Sequence, residues 1–192
     1  MTEQRTPTAD QVRALVERIV DATAATRPTP APQGKVGVAI AGDHGGWQMK
    51  DAIGTWLTEN GYAVVDRGTD SSDAVDYPDF ARAVAELVAD GSVRWGIVVD
   101  GAGIGSAMAA NKVPGVRAAN CHDISSARNS REHNYANVLT LGAGFIGQAL
   151  ALDIVRTWLD TEWGAERHGR RVEKITAIEQ HYAKGTAEER AR

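Results

Sequence analysis

The sequence predicts an α/β fold in which a parallel β-sheet is covered by helices on both faces. Two observations carry this. From residue 36 onward, short apolar runs alternate with helix-patterned stretches. The apolar runs also end in glycine-rich or acidic turns, where open α/β sheets hold their ligands. A chain of 192 residues, 43% of them hydrophobic, is long enough for one domain with a real core and some appendages. The formal charge of −4 argues against a nucleic-acid partner. No apolar run approaches membrane-spanning length. The polar N-terminus, MTEQRTPTAD, lacks the apolar region of a signal peptide, and the single cysteine, Cys121, excludes an intrachain disulfide. A cytoplasmic chain is expected.

The elements follow in order. Residues 1–7 are polar and expected to lack order. Thr8 and Gln11 then form a capping box, and Val12, Leu15, Val16, Ile19 and Val20 recur at helical spacing. Residues 1–25 are therefore an amphipathic-helix extension, and the Pro-rich stretch 26–34 is a linker. Such a short helix is marginal alone in water, so it should fold against its own domain, a dimer partner or another protein. The main domain is expected over 35–184, with a polar tail at 185–192. It opens with a strand at 36–41 and the turn Gly42-Asp43-His44-Gly45-Gly46, then a helix at 47–59 capped by Gly61. Strand two is expected at 62–65. A polar loop carrying Asp76-Tyr77-Pro78-Asp79 leads into a helix that ends near Asp90. Strand three spans 94–99, strand four 116–120 and strand five 137–141. Helices are expected at 124–131, at 148–159 and from Val172 to about Lys184, the last preceded by the basic run Arg167-His168-Gly169-Arg170-Arg171.

The stretch 97–111, IVVDGAGIGSAMAAN, organises the rest: a buried strand ending in Asp100, then Gly101, Gly103 and Gly105, then a helix start. Glycines there let backbone N–H groups face outward toward a phosphate or an oxyanion, and Asp100 adds an acid/base group. Two other readings stay open at this level. Asp100 could simply accept glycine N–H bonds in a tight turn. The stretch could also be a dinucleotide fingerprint, with Asp123 at the distance of a ribose contact, although Ser106 replaces its third glycine. Asp43, His44, Asp100, Cys121, His122 and Asp123 all fall at strand ends, and His133 and Asn134 lie just before strand five. His44, Cys121, His122 and His133 lack metal-ligand spacing. Ser106 and Ser125 lack a nucleophile-elbow context. Arg167 to Arg171 form either a solvated face or a phosphate clamp.

In their order and spacing, GDHGG, DYPD, GAGIGSAMAANKVPGVRAA, CHD, REHN, NVLTLGAG and ERHGRR resemble the type B ribose-5-phosphate isomerases and the related galactose-6-phosphate isomerase subunits, over residues 36–178. The resemblance implies a Rossmann-like three-layer sandwich with a five-stranded parallel sheet. It also implies a homodimer, or a dimer of dimers, with active sites at the subunit interface. The reaction it implies is aldose–ketose isomerisation of a phosphorylated sugar, without metal or cofactor. Carried over residue by residue, His133 opens the sugar ring and Asn134 holds an oxygen beside it. Asp43 and His44 contact the sugar and its phosphate. Gly101, Gly103 and Gly105, followed by Ser106, hold the enediolate oxygen, and Arg167 and Arg171 bind phosphate. Such chemistry needs a base over adjacent carbons and preorganised donors at the oxyanion.

This chain departs from the family pattern in two places. The family's base is usually a cysteine at the position of Asp100 or a glutamate at that of Ser106, which leaves Asp100 as the expected base here. An arginine common in the family is replaced by Gly144. The alternative is therefore an inactive member kept as a sugar-phosphate-binding or scaffold protein. The family usually starts near Val36, so the first 35 or so residues are an addition. A short amphipathic helix on a Pro-rich linker resembles the encapsulation peptides of bacterial microcompartment cargo, which implies a shell-protein partner for residues 8–25 and a place inside a microcompartment.

Overall fold

The structure, a computed structural model, describes residues 36–190, and their side chains as far as residue 183. The expected N-terminal helix at 8–25 and the linker lie outside the described residues. Among the described residues, five strands and six helices follow one another: β1 (Gly37–Gly42), α1 (Trp47–Glu59), β2 (Ala63–Asp66), α2 (Tyr77–Ala89), β3 (Trp95–Asp100), α3 (Ile104–Ala110), β4 (Ala118–Asn120), α4 (Ile124–Asn134), β5 (Val138–Gly142), α5 (Gln148–Asp160) and α6 (Glu166–Arg190). The strands pair in parallel in the order β2-β1-β3-β5-β4.

Every residue of β3, and all of β1 beyond Gly37, is buried, as expected of central strands covered on both faces. Alternation along β1 separates two cores. Val38 and Ile40 pack with Ile53 and Leu57 of α1 and Ile154 and Trp158 of α5. Ala39 and Ala41 pack on the opposite face with Ala81, Val84 and Ala85 of α2. Small side chains on that face let α2 approach the sheet closely. The result is the three-layer α/β sandwich expected from the pattern of elements.

Strand order places the site. β2 lies on one side of β1 and β3 on the other, so the chain reverses its direction of travel between β1 and β3. Ligands of open α/β sheets bind outside the carboxyl ends of the strands at such a switch point. Asp43 follows β1, and Asp100 closes β3.

Several boundaries differ from the sequence expectation. α4 runs on to Asn134 and ends at Tyr135, whose left-handed φ of 54° turns the chain into β5. His133 and Asn134 therefore sit in the last helical turn. Arg131 explains the extra turn: its guanidinium is buried 3.9 Å over the Trp95 ring and donates to the carbonyls of Trp158, at 3.1 Å, and Ala136, at 2.6 Å. Burial lowers its pKa to about 10. α6 begins at Glu166 rather than Val172, with Glu166 at the positive end of the helix dipole, so Arg167 to Arg171 are helical. The same helix continues to Arg190, past the expected boundary at 184. β4 is shorter than expected because the Arg117 N–H donates to the Asn137 side chain, 2.7 Å away.

Candidate active site

The turn after β3 is built around Asp100, which is 5% exposed. Its Oδ1 accepts the Ala102 N–H at 2.7 Å and the Gly103 N–H. Its Oδ2 accepts the Ser106 hydroxyl, and the Ser106 N–H at 3.3 Å. Gly103 has φ of 76°, and a Cβ there would collide with Asn120 Nδ2 and come within 2.8 Å of the Leu141 carbonyl carbon. Only glycine lets this turn fit against β4 and β5. Asn120 braces it from β4, donating to Thr140 Oγ1 at 3.0 Å and to the Ala102 carbonyl at 3.4 Å.

This arrangement changes the roles expected of two residues. The Gly103 N–H points inward to Asp100 rather than outward, because the carboxylate occupies the cradle that the glycines form. Ser106 is fully buried and turned onto Asp100, not toward a ligand. Gly101 is exposed and Gly105 partly so. Beside them, Asp43 is 7% exposed and accepts the Gly45 N–H at 2.9 Å. Exposed His44 accepts the Val75 N–H on Nδ1 at 3.3 Å, which leaves Nε2 to carry the proton of the neutral ring. Tyr77 lies across Gly105, where a Cβ would sit 2.6 Å from the phenol oxygen. Asp43, His44, Asp100 and the glycine turn thus share one edge of the sheet.

His133, Asn134, Arg167 and Arg171 form a second group at the other end. α4 starts beyond the carboxyl end of β4 and returns to the start of β5, where Val138 pairs with Ala118. Asp100 instead pairs with Gly142, at the far end of β5. The length of β5 alone keeps the two groups roughly 13 Å apart along the strand direction. The His133 ring stacks on His168 with centroids 4.2 Å apart and 8° between planes, and its Nδ1 lies 2.9 Å from Asn129 Nδ2. His168 is 4% exposed, and its Nε2 accepts from Arg167 Nε at 3.2 Å. Burial, then the charges of His133, Arg167 and Arg171, lower its pKa. Arg167, Arg171 and Asn134 are exposed.

The remaining candidates have local roles. Asp123 caps α4 by accepting the Ser126 N–H at 2.8 Å, which occupies the carboxylate that a dinucleotide ribose would need. Cys121 is buried, and burial raises its thiol pKa. His122 packs against Phe145, 5.4 Å between ring centroids. Among the described residues, no three His, Cys, Asp or Glu side chains converge as metal ligands do, and no helix is long and apolar enough to cross a membrane. Sequence reasoning missed His168 and Asn120. His168 was visible only as a member of the basic run. Asn120 was a polar residue closing an otherwise apolar strand, which is a usable signal.

Residues 38–175 match the model of the Ribose/Galactose Isomerase family. The chain belongs to the ribose/galactose isomerase family. It is 46% identical over 143 residues to ribose-5-phosphate isomerase B of Escherichia coli, covering 74% of this chain and 96% of that one. The structure of Clostridium thermocellum ribose-5-phosphate isomerase B matches with a TM-score of 0.76 at 50% identity, over 77% of this chain and 99% of the other. That of Mycoplasma genitalium ribose-5-phosphate isomerase B with bound ribulose-5-phosphate matches with a TM-score of 0.74 at 39% identity, again over 77% and 99%. Within the isomerase family, the Gly144 position has a physical consequence here. Its N–H donates to the Gly101 carbonyl at 2.9 Å, and a Cβ would lie 2.8 Å from that oxygen. The turn is closed too tightly for the expected arginine.

Proposed function

We propose that this isomerase interconverts a phosphorylated aldose and its ketose, most simply ribose 5-phosphate and ribulose 5-phosphate, through an enediolate. The observation that carries the reading is a buried carboxylate, Asp100, held on a glycine turn at the β1/β3 switch point of a chain 46% identical to a ribose-5-phosphate isomerase B. His133 opens the sugar ring by proton transfer to its oxygen, and Asn134 holds the oxygen beside it. Asp100 then takes the proton from C2 of the open aldose. With the electron pair left behind, the C1 carbonyl oxygen becomes the enediolate oxygen, and Gly101, Gly105 and His44 stand nearest to stabilise it. Returning the proton to C1 gives the ketose, with a second proton passing between the oxygens. Arg167 and Arg171 bind the phosphate, and Asp43 orients the sugar hydroxyls.

The separation of the two residue groups supports a shared site in a homodimer. Asp43, His44 and Asp100 of one copy complete a site with His133, Asn134, Arg167 and Arg171 of the other. Purified protein should convert ribose 5-phosphate to ribulose 5-phosphate, and no turnover across pentose, tetrose and hexose phosphates would overturn the reading. Asp100→Asn should slow exchange of the C2 proton with solvent by about two orders of magnitude. Mixing that variant with His133→Ala should restore activity that neither has alone, because one of the two sites in the mixed dimer keeps both groups. A mixture as inactive as its parts would place the site within one copy.

The amphipathic pattern of residues 8–25 supports a docking role on a microcompartment shell protein, with the apolar stripe seated in a groove. Removing residues 1–33 should abolish co-purification with shell protein and leave activity and thermal midpoint unchanged. A lowered midpoint would make the segment part of the fold instead.

A further inference from the structure

The four donors around Asp100 are unequal. Oδ1 takes two backbone N–H groups, those of Ala102 at 2.7 Å and Gly103, which are fixed by the turn itself. Oδ2 takes one side-chain hydroxyl, from Ser106, and one long backbone contact at 3.3 Å. Oδ2 is therefore the oxygen with a weakly engaged lone pair. A serine in a helix can turn its hydroxyl back to the carbonyl four residues earlier. Here that carbonyl, of Ala102, receives the Asn120 amide instead, and the fully buried Ser106 hydroxyl turns onto Asp100.

We propose that Ser106 is a positioning residue for the isomerisation: its hydroxyl fixes the rotation of the Asp100 carboxylate so that the second lone pair of Oδ2 meets the substrate carbons. This rests on the reading of Asp100 as the base. When Oδ2 takes the carbon-bound proton, Ser106 keeps its hydrogen bond to the same oxygen, and the carboxyl group does not rotate between removing the proton and returning it.

The test uses the full chain and compares wild type, Ser106→Ala, Ser106→Thr and Asp100→Asn. Ser106→Ala should lower kcat about ten- to a hundredfold with KM within about threefold, the loss expected for one hydrogen bond to a charged group. Ser106→Thr should recover most of the lost kcat. Wild-type kcat in Ser106→Ala overturns the proposal. So does a Thr variant as impaired as Ala with both melting early, which would mark a packing role. If Ser106→Ala fails to fold, Ser106→Cys replaces it: an intermediate kcat is expected, and a wild-type kcat overturns the proposal. Collapse of Asp100→Asn beside an unaffected Ser106→Ala removes the Ser106 role alone, whereas undiminished proton exchange in Asp100→Asn removes the base reading and this proposal together.

Discussion

Replacing Gly103 by alanine should damage the site far more than the same change at Gly101, two residues away. Gly103 has φ of 76°, a left-handed conformation that costs an L-residue about 1–2 kcal/mol. Its new Cβ would strike Asn120 Nδ2 and lie 2.8 Å and 3.1 Å from the backbone of Leu141 and Gly142. The Leu141 and Gly142 backbone is held by the pairing of β5 with β3 and cannot move aside independently, so overpacking adds about 1–3 kcal/mol. The total is about 2–5 kcal/mol. At 2–4 °C per kcal/mol for a domain of this size, the thermal midpoint should fall by about 4–20 °C. A Cβ at Gly101 meets nothing within 4 Å, and Gly101→Ala should stay within about 0.5 kcal/mol of wild type. Thermal and urea unfolding, followed by circular dichroism, compare the two. Equal midpoints would refute the claim that the turn's fit against β4 and β5 demands glycine at 103. Gly103→Ala should also slow proton exchange, since it displaces an N–H that holds Asp100.

Two further outcomes follow from buried charges. Lys50 is 3% exposed and pairs with Asp66 at 2.7 Å and Asp51 at 3.0 Å. Burial pulls its pKa down, but the hydrogen bonds to Asp66 and Asp51 outweigh this and hold it above its usual value of 10.5. Its contribution is therefore complete below pH 10.5 and lost as pH rises through the higher folded value. Lys50→Met should lower stability by about 1–3 kcal/mol near neutral pH, with the gap to wild type narrowing in the alkaline range. His168 runs the other way. Its pKa is lowered, so the unfolded chain takes up the proton first, and stability present above pH 6.5 is lost as pH falls through the folded value. Unfolding of His168→Gln across the mildly acidic range should show a shallower loss than wild type, and an unchanged slope would contradict the assignment.

The sequence carries the succession of strands and helices openly, because the apolar runs, the glycine turns and the helical periodicity are local signals. It also located the stretch 97–111 and, through ordered motifs, the family. What it could not order was the sheet. Strand neighbours are chosen by non-local packing, and only the arrangement β2-β1-β3-β5-β4 reveals a switch point with Asp43 and Asp100 on its two sides. The same non-locality hid the partners of Arg131 among Trp95, Trp158 and Ala136, and the stacking of His133 on His168, residues separated in sequence by the whole of β5 and α5. Most consequential is the course of α4. The sequence set His133 and Asn134 just before strand five, but not inside the last turn of a helix. The parallel pairing of β4 with β5 obliges α4 to carry the chain back across the sheet, so it delivers these residues to the edge opposite Asp100.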